Sequence, residues 1–234
     1  RMTAPACWLV DALAFSRQTT IRQLQRHEQG WQLYSLEHGV LPERFDAIVL
    51  ALPAPQAATL LQQASPALVQ LAALAGSAVM RGSWALMLRF ATPLELPFDA
   101  AFVNQGPLRW IARDSSKPGR SGAETWLLHA NAAWSEAHLA VDAERVADAL
   151  LHAFAQLGGA TPQAWTAHRW LYADSEPALD IACAWKAEHS LGLCGDWLNG
   201  GKVEDAWLSG RALAQQIVHS FAPVQAAPGA DGTP

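Results

Sequence analysis

The stretch LGLCGDWLNGGKVEDAWLSGRALAQQI, Leu191 to Ile217, sets a short apolar run against a Gly-Asp break, paired glycines and a long helical pattern. Leu191, Leu193 and Cys194 are too few for a helix and fit a short buried strand ending at Gly195-Asp196. From Val203 the apolar or small positions 203, 206, 207, 210, 213, 214, 217 and 218 recur at helical spacing, which predicts a helix with that stripe against a core. Gly200-Gly201 lets the backbone turn tightly or approach a ligand, and the helix start behind it offers unpaired N–H groups and a positive dipole end. Asp196 can therefore accept hydrogen bonds from hydroxyls beside a helix terminus that stabilises negative charge. The same residues also describe an ordinary turn, with Ser209-Gly210 serving only close helix packing. Spacing alone leaves both readings open.

The stretch resembles the C-terminal FAD motif of flavin-containing amine oxidases, in which a strand ends in Gly-Asp and a helix opens with V-E-x-A-x-x-S-G; here the pattern runs from Val203 to Gly210. The resemblance implies that Asp196 binds the ribityl chain of FAD. It also places the backbone around Lys202, Val203 and Glu204 at the pyrimidine edge of the flavin, with Gly195, Trp197, Gly201 and Ala206 completing the cofactor site. FDAIVLALPAPQAATLL (Phe45 to Leu61) resembles the strand and Pro-x-Pro turn by which such proteins re-enter the nucleotide domain. WIARDSSKPGR (Trp110 to Arg120) and AHRWLYA (Ala167 to Ala173) resemble substrate-domain signatures of the bacterial renalase-like branch of this superfamily.

That branch implies an FAD-dependent oxidoreductase that moves hydride from a dihydronicotinamide-type substrate to flavin, with dioxygen as electron acceptor. A flavin amine oxidase or desaturase is the first alternative, and a non-catalytic remnant that binds a nucleotide or a partner is the second. No GxGxxG, GxxxxGK[ST], HExxH or GxSxG occurs in the sequence. Family members carry the glycine-rich pyrophosphate loop in an N-terminal βαβ unit, so the chain is expected to lack that unit and to hold FAD poorly by itself.

Composition narrows the rest. A formal net charge of −5 provides no basic stripe, which argues against a nucleic-acid partner. No apolar run reaches the ~18 residues of a membrane span. Cys7, Cys183 and Cys194 have no zinc or CxxC spacing and read as reduced core thiols, in keeping with a cytoplasmic setting and no metal.

The expected fold class is α/β (α+β), part of an FAD-binding Rossmann-like domain joined to an antiparallel-sheet substrate domain. Residues 1–62 and 187–222 are assigned to the incomplete FAD-binding domain, 63–186 to the substrate domain, and 223–234 to a disordered tail. Along the chain the patterns predict a helix over 3–14 and a hairpin whose arms, IRQLQRHE and WQLYSLE, flank Gln29-Gly30. FDAIVLAL reads as a strand buried on both faces, and 54–75 as two short helices broken at Ser65-Pro66. Strands follow near 80–90, 98–103, 108–113 and 124–130, then a helix capped by Asp142 and stopped by Gly158-Gly159, and a strand near 164–173.

Seven of the eleven tryptophans (Trp84, Trp110, Trp126, Trp134, Trp165, Trp170 and Trp185) fall in the proposed substrate domain. Tryptophan is largely buried in any fold, yet a site for a planar ring wants aromatic walls. Trp84, Trp110, Arg169 and Trp170 are the substrate-binding candidates, His168 and Trp170 the candidates for a chemical role, and Trp197 a candidate wall beside the flavin aspartate. His129 and His168 read equally as structural histidines in strands. The loop Ser115 to Gly122 is basic and glycine-rich, suited either to phosphate contact or to an exposed hairpin connection.

Overall fold

The computed structural model describes residues 14–222. The helical pattern at 3–13 and the tail from 223 onward lie outside them. The chain divides into two compact units: Met80–Glu176 forms the body of one, and Gln18–Val79 with the segment from Pro177 forms the other.

The chain enters the second of these through β1 (Ile21–His27), β2 (Gly30–Ser35) and β3 (Gly39–Val40), an antiparallel sheet in that order. The expected hairpin is present. Gly30 sits at φ +113°, where a Cβ would lie 2.7 Å from the Phe45 carbonyl oxygen; only glycine lets Trp31 and Phe45 exchange backbone hydrogen bonds of 2.8 and 3.0 Å beside it. Trp31 is thereby buried and donates its indole N–H to the His189 carbonyl at 2.9 Å.

Strand β4 (Ile48–Leu50) leads into helices α1 (Ala54–Ala64) and α2 (Val69–Ser77). The break between them follows from Ser65, whose hydroxyl accepts the Ala67 N–H at 3.2 Å, and from Pro66, which opens a 3-10 turn. The two helices pack through Leu60, Leu61, Leu71 and Ala75. A Ser-Pro break inside a helical pair is a turn and not a domain edge. The compact units therefore meet at Val79/Met80, where the sequence placed the boundary at 62/63.

The other unit begins with β5 (Met80–Phe90), β6 (Ala100–Phe102), β7 (Leu108–Arg113) and β8 (Glu124–Ala130). Helices α3 (Ala132–Ala137) and α4 (Ala143–Ala155) follow, and β9 (Ala164–Ser175) completes a five-stranded antiparallel sheet of order β6-β7-β8-β5-β9. All four predicted strands, the Asp142-capped helix and the last strand are where the patterns put them. Asp142 accepts the Arg145 N–H at 2.9 Å, and Gly158 at φ +92° ends the last turn. Val146, Leu150 and Phe154 of α4 pack on Leu86, Leu88, Ile111, Trp126 and Leu128, so one sheet face is core. The Ser135 hydroxyl, fully buried, accepts the Trp84 N–H at 3.2 Å and ties α3 to β5.

In the Gln18–Val79 unit, to which the chain returns at Pro177, β10 (Ala184–Lys186) runs antiparallel to β11 (Leu191–Leu193), which runs parallel to β4. Trp185 thus belongs here and not with the substrate-domain tryptophans, and the second unit boundary falls at Glu176/Pro177 and not at 186/187. Val49 of β4 is 45 % exposed, which corrects the expectation of a strand buried on both faces: Ile48 and Leu50 are buried, but β4 ends its sheet and only one of its faces is covered among the described residues.

Helix α5 (Val203–Phe221) closes the chain. It packs on β11 at Gly192, where a Cβ would come within 2.6 Å of Leu213 Cδ1 and 2.9 Å of the Trp185 ring. The predicted stripe is half right. Ala206, Leu213 and Ile217 are wholly or partly buried, whereas Val203, Trp207, Ala214 and Val218 are exposed, so the apolar arc is wider than the surface it covers here.

Candidate functional site

The two ends of the motif at 191–217 converge through the backbone. The Asp196 carbonyl accepts the N–H groups of Asn199 and Gly201, each at 2.9 Å, folding the Gly-Asp turn onto the glycine pair. Gly200 and Gly201 take φ of +89° and +84°; a Cβ on Gly200 would sit 2.5 Å from an Asp205 carboxylate oxygen. Asp205 accepts the Lys202 N–H at 3.1 Å and so caps α5. The first-turn N–H groups of α5 have no carbonyl one turn back within the helix, and the Lys202–Asp205 capping box engages the end of that turn.

One carboxylate oxygen of Asp196 accepts the Trp197 N–H at 2.9 Å; the side chain has no other protein partner among the described residues. Asp196 is half-buried, so its second oxygen remains an acceptor for a ligand hydroxyl. Ser209, fully buried, accepts the Gly195 N–H at 3.1 Å and pins α5 to the turn. A Cβ on Gly210, by contrast, would meet nothing within 4 Å among the described residues, so in Ser209-Gly210 the serine makes the close contact, as a hydrogen-bond clamp, and the glycine does not. Gly195 is required because a Cβ there would lie 2.7 Å from Trp197 Nε1.

Trp197 itself is corrected from cofactor wall to core residue. It is 1 % exposed and donates its indole N–H to the Leu52 carbonyl at 3.0 Å, linking the turn to the end of β4.

In the other unit, the sheet face away from α4 carries a second constellation. Residues opposed across antiparallel strands share a face, so the pairings Phe102–Trp110, Trp110–His129, His129–Ala85 and Ala85–His168 draw one row across all five strands. Phe102 and Trp110 ring centroids are 4.6 Å apart, and Trp170 meets His168 edge-on at 4.3 Å. The two histidines flank Ala85 at roughly 10 Å from one another, two strand spacings. The next row along the strands holds Ala112, Leu127, Met87 and Thr166.

Two substrate candidates fall elsewhere. Trp84 is buried in the α4-side core and donates its indole N–H to the His138 carbonyl at 3.1 Å. Arg169 is paired with Trp84, stacks over its ring at 5.8 Å and bonds the Leu139 carbonyl, on the face opposite His168. Strand alternation separates them: in His168-Arg169-Trp170 only the first and third share the open face. His129, which the sequence left as one histidine among several, is marked out by position alone, between Trp110 and Ala85.

Burial holds the His129 imidazole below its ordinary value of 6.5. It makes no hydrogen bond among the described residues, so nothing offsets the cost of charging it. A side-chain NMR titration of the protein should accordingly give His129 a midpoint below 6.5; a midpoint at or above that value would place an unseen acceptor beside the ring. Burial likewise raises the thiols of Cys183 and Cys194, the two free cysteines among the described residues, and keeps them protonated. Among those residues no cluster of three or more His, Cys, Asp or Glu could hold a metal ion, and no helix is long and apolar enough to cross a membrane.

The family model of flavin containing amine oxidoreductases matches residues 13–218, so the chain belongs to the flavin-containing amine oxidoreductase family, whose cofactor is FAD. Solved structures agree on the fold. A protein assigned as a protoporphyrinogen oxidase from Exiguobacterium sp. 255-15 superposes with a TM-score of 0.66 at 16 % identity, over 85 % of this chain and 46 % of its own. Cyclohexylamine oxidase from Brevibacterium oxydans IH-35A gives 0.65 at 16 % identity over 86 % and 48 %. A cofactor-binding redesign of putrescine oxidase gives 0.59 at 11 % identity over 86 % and 48 %. The chain spans about half the length of these structures.

Proposed function

We propose that the chain is the flavin-tail and substrate portion of a cytoplasmic FAD-dependent oxidoreductase. Its substrate is of the dihydronicotinamide type, and dioxygen is the final electron acceptor. The residues at the Gly-Asp turn fit a flavin: a half-buried carboxylate with a free oxygen stands beside the start of α5, whose first-turn N–H groups have no carbonyl one turn back within the helix, and the glycines keep the approach clear. In this reading Asp196 holds the ribityl hydroxyls, and the backbone of Lys202, Val203 and Glu204, with Gly195, Gly201 and Ala206 shaping the turn, meets the pyrimidine edge.

When bound, flavin supplies a two-electron acceptor. The α5 N-terminus stabilises negative charge at that edge, about 0.3–1 kcal/mol in exposed settings and up to about 2 when partly buried. Trp110, His129 and His168 with Trp170 give a planar substrate aromatic edges to lie against, and the neutral imidazole of His129 can accept or donate one hydrogen bond without adding charge.

The observation that carries the substrate class is that the described residues offer no unpaired acid on that face: Asp114, near Arg89, is already bonded by Arg120 and Lys117. The rows through Ala85, Met87 and Arg89 hold no Asp or Glu among the described residues, so a protonated amine finds no counter-ion there, whereas a planar substrate with an anionic tail finds Arg89. Mixing the flavin-loaded, full-length protein anaerobically with 2- or 6-dihydro-NAD(P), and in parallel with primary amines and polyamines, tests this. Bleaching of the flavin band by the dihydronicotinamides supports the proposal. Bleaching by amines alone replaces it with an amine oxidase.

A further inference from the structure

Beyond the row of rings, the same sheet face opens into a cleft of about 830 Å³ that lies wholly within the Met80–Glu176 unit. Its floor is the outward face of β5, β8 and β9, and one wall is the connection from β7 to β8. That connection is therefore both the hairpin loop and the polar wall left open by the sequence. The volume falls in the range of small-molecule sites.

The chemistry of the lining is one-sided. Arg89 rises from the floor with no ion pair or hydrogen bond to its guanidinium among the described residues. Arg120 faces it from the loop. The single carboxylate in the lining, Asp114, is already bonded by both Arg120 and Lys117, the latter at 2.7 Å, and so offers little repulsion to an incoming anion. Ser121, Thr125 and Thr166 place hydroxyls without protein partners around the same space. Trp165, 39 % exposed, is paired with Leu88 and borders the cleft at its β9 edge from the opposite sheet face.

An unpaired arginine within reach of three unbonded hydroxyls is a donor set for a phosphate, because guanidinium and hydroxyl donors together saturate its oxygens. Spacing adds a ruler. Arg89 lies four residues along β5 from Ala85, roughly 14 Å at strand rise, which separates a ring held at the Trp110–His129–His168 row from a phosphate held at Arg89. We infer that this cleft binds the phosphate-bearing tail of a nucleotide ligand, with Arg89 as the principal anchor and Arg120 and the Thr125 and Thr166 hydroxyls as secondary donors. Assignment of the ring end rests on the dihydronicotinamide reading above; the phosphate site does not.

Isothermal titration of the 234-residue chain with ADP, inorganic pyrophosphate and adenosine tests the site directly. ADP and pyrophosphate should saturate, with adenosine at least about tenfold weaker. Arg89→Gln should weaken ADP by at least about tenfold, while Arg145→Gln, an exposed arginine paired with Asp142 on α4, should leave it unchanged. Thermal melts of both variants should match the parent, since Arg89 is exposed. Absence of saturable ADP binding, or ADP binding indifferent to Arg89→Gln, overturns the inference. A kinetic arm separates it from the functional reading: in the full-length enzyme Arg89→Gln should raise the KM for a dihydronicotinamide dinucleotide with kcat nearly unchanged. If amines prove to be the substrates while ADP still binds through Arg89, the functional reading fails and the site stands. If the dinucleotide is oxidised with a KM indifferent to Arg89→Gln, the reading stands and the site falls.

Discussion

Replacing Asp196 by alanine should empty the flavin site of the full-length protein. The variant is expected to lose FAD on desalting under conditions in which the parent stays yellow, with affinity lower by about one to two orders of magnitude. That range corresponds to the roughly 1.5–3 kcal/mol of a hydrogen bond to a charged group. The change is clean because the turn does not depend on the carboxylate. Asn199 and Gly201 bond the Asp196 carbonyl, Ser209 bonds the Gly195 N–H, and Asp205 caps α5, all of which survive in the variant. Only the contact to the Trp197 N–H is lost. Asp196→Asn keeps a neutral acceptor and should fall between the two. Parent-like flavin retention by Asp196→Ala, with an unchanged melting temperature of the apoprotein, would remove Asp196 from the cofactor site.

That experiment bears on why the motif could be read from sequence at all. The strand, the Gly-Asp break and the helix start are local events, each fixed by residues within a few positions, and the hydrogen bonds that join them span at most fourteen residues, Gly195 to Ser209. The same locality explains the hairpin at Gly30, the Ser65-Pro66 break and the Asp142 cap. What could not be read is set by long-range pairing. Its place beside Asp196 suggests a wall for Trp197, yet its indole is claimed by Leu52, 145 residues earlier. Trp84 and Arg169 were grouped with Trp110 and Trp170 by type and by adjacency. Register across β5 and β9 then sent the first two to the core side and His168 to the open side, and one residue of slip would have reversed them. His129 needed both β5 and β7 to give it a place, and the Arg89 cleft needed the fold of the loop over three strands. The V-E-x-A-x-x-S-G signature also concealed an asymmetry: its serine is a buried clamp, while its glycine, judged by contacts within the described residues, has open space around it.

Glu124→Ala should be a severe change to the Met80–Glu176 unit, lowering its stability by about 3 kcal/mol. The Glu124 side chain is only 7 % exposed and bonds four groups: the Trp126 indole N–H at 2.8 Å, the Ser115 hydroxyl at 3.0 Å, the Leu94 N–H at 3.4 Å, and the Arg113 guanidinium at 3.4 Å. Removing the carboxylate strands the indole donor of Trp126, itself 1 % exposed, and takes a counter-ion from Arg113, which also stacks on the Trp126 ring at 5.1 Å. Burial by itself would raise the Glu124 carboxyl above 4.5, but the Trp126, Leu94 and Ser115 hydrogen bonds and the Arg113 charge outweigh it and hold the group below that value. The folded state therefore binds this proton more weakly than the unfolded chain. Its contribution to stability is complete above about pH 4.5 and is lost as the pH falls through the lower folded value. Urea midpoints followed from pH 7 downward through pH 4 should thus separate parent from Glu124→Gln: the parent begins to lose this contribution below about pH 4.5 and loses more at each further step, whereas the glutamine variant starts lower and has less to lose. Equal acid sensitivity in the two proteins would show that Glu124 does not carry it. Because Ser115 hangs from Glu124 and begins the wall of the Arg89 cleft, either substitution should also loosen ADP binding at pH 7 while Arg89 itself is untouched. In that reading the shape of the cleft is fixed from behind, by a carboxylate outside its lining.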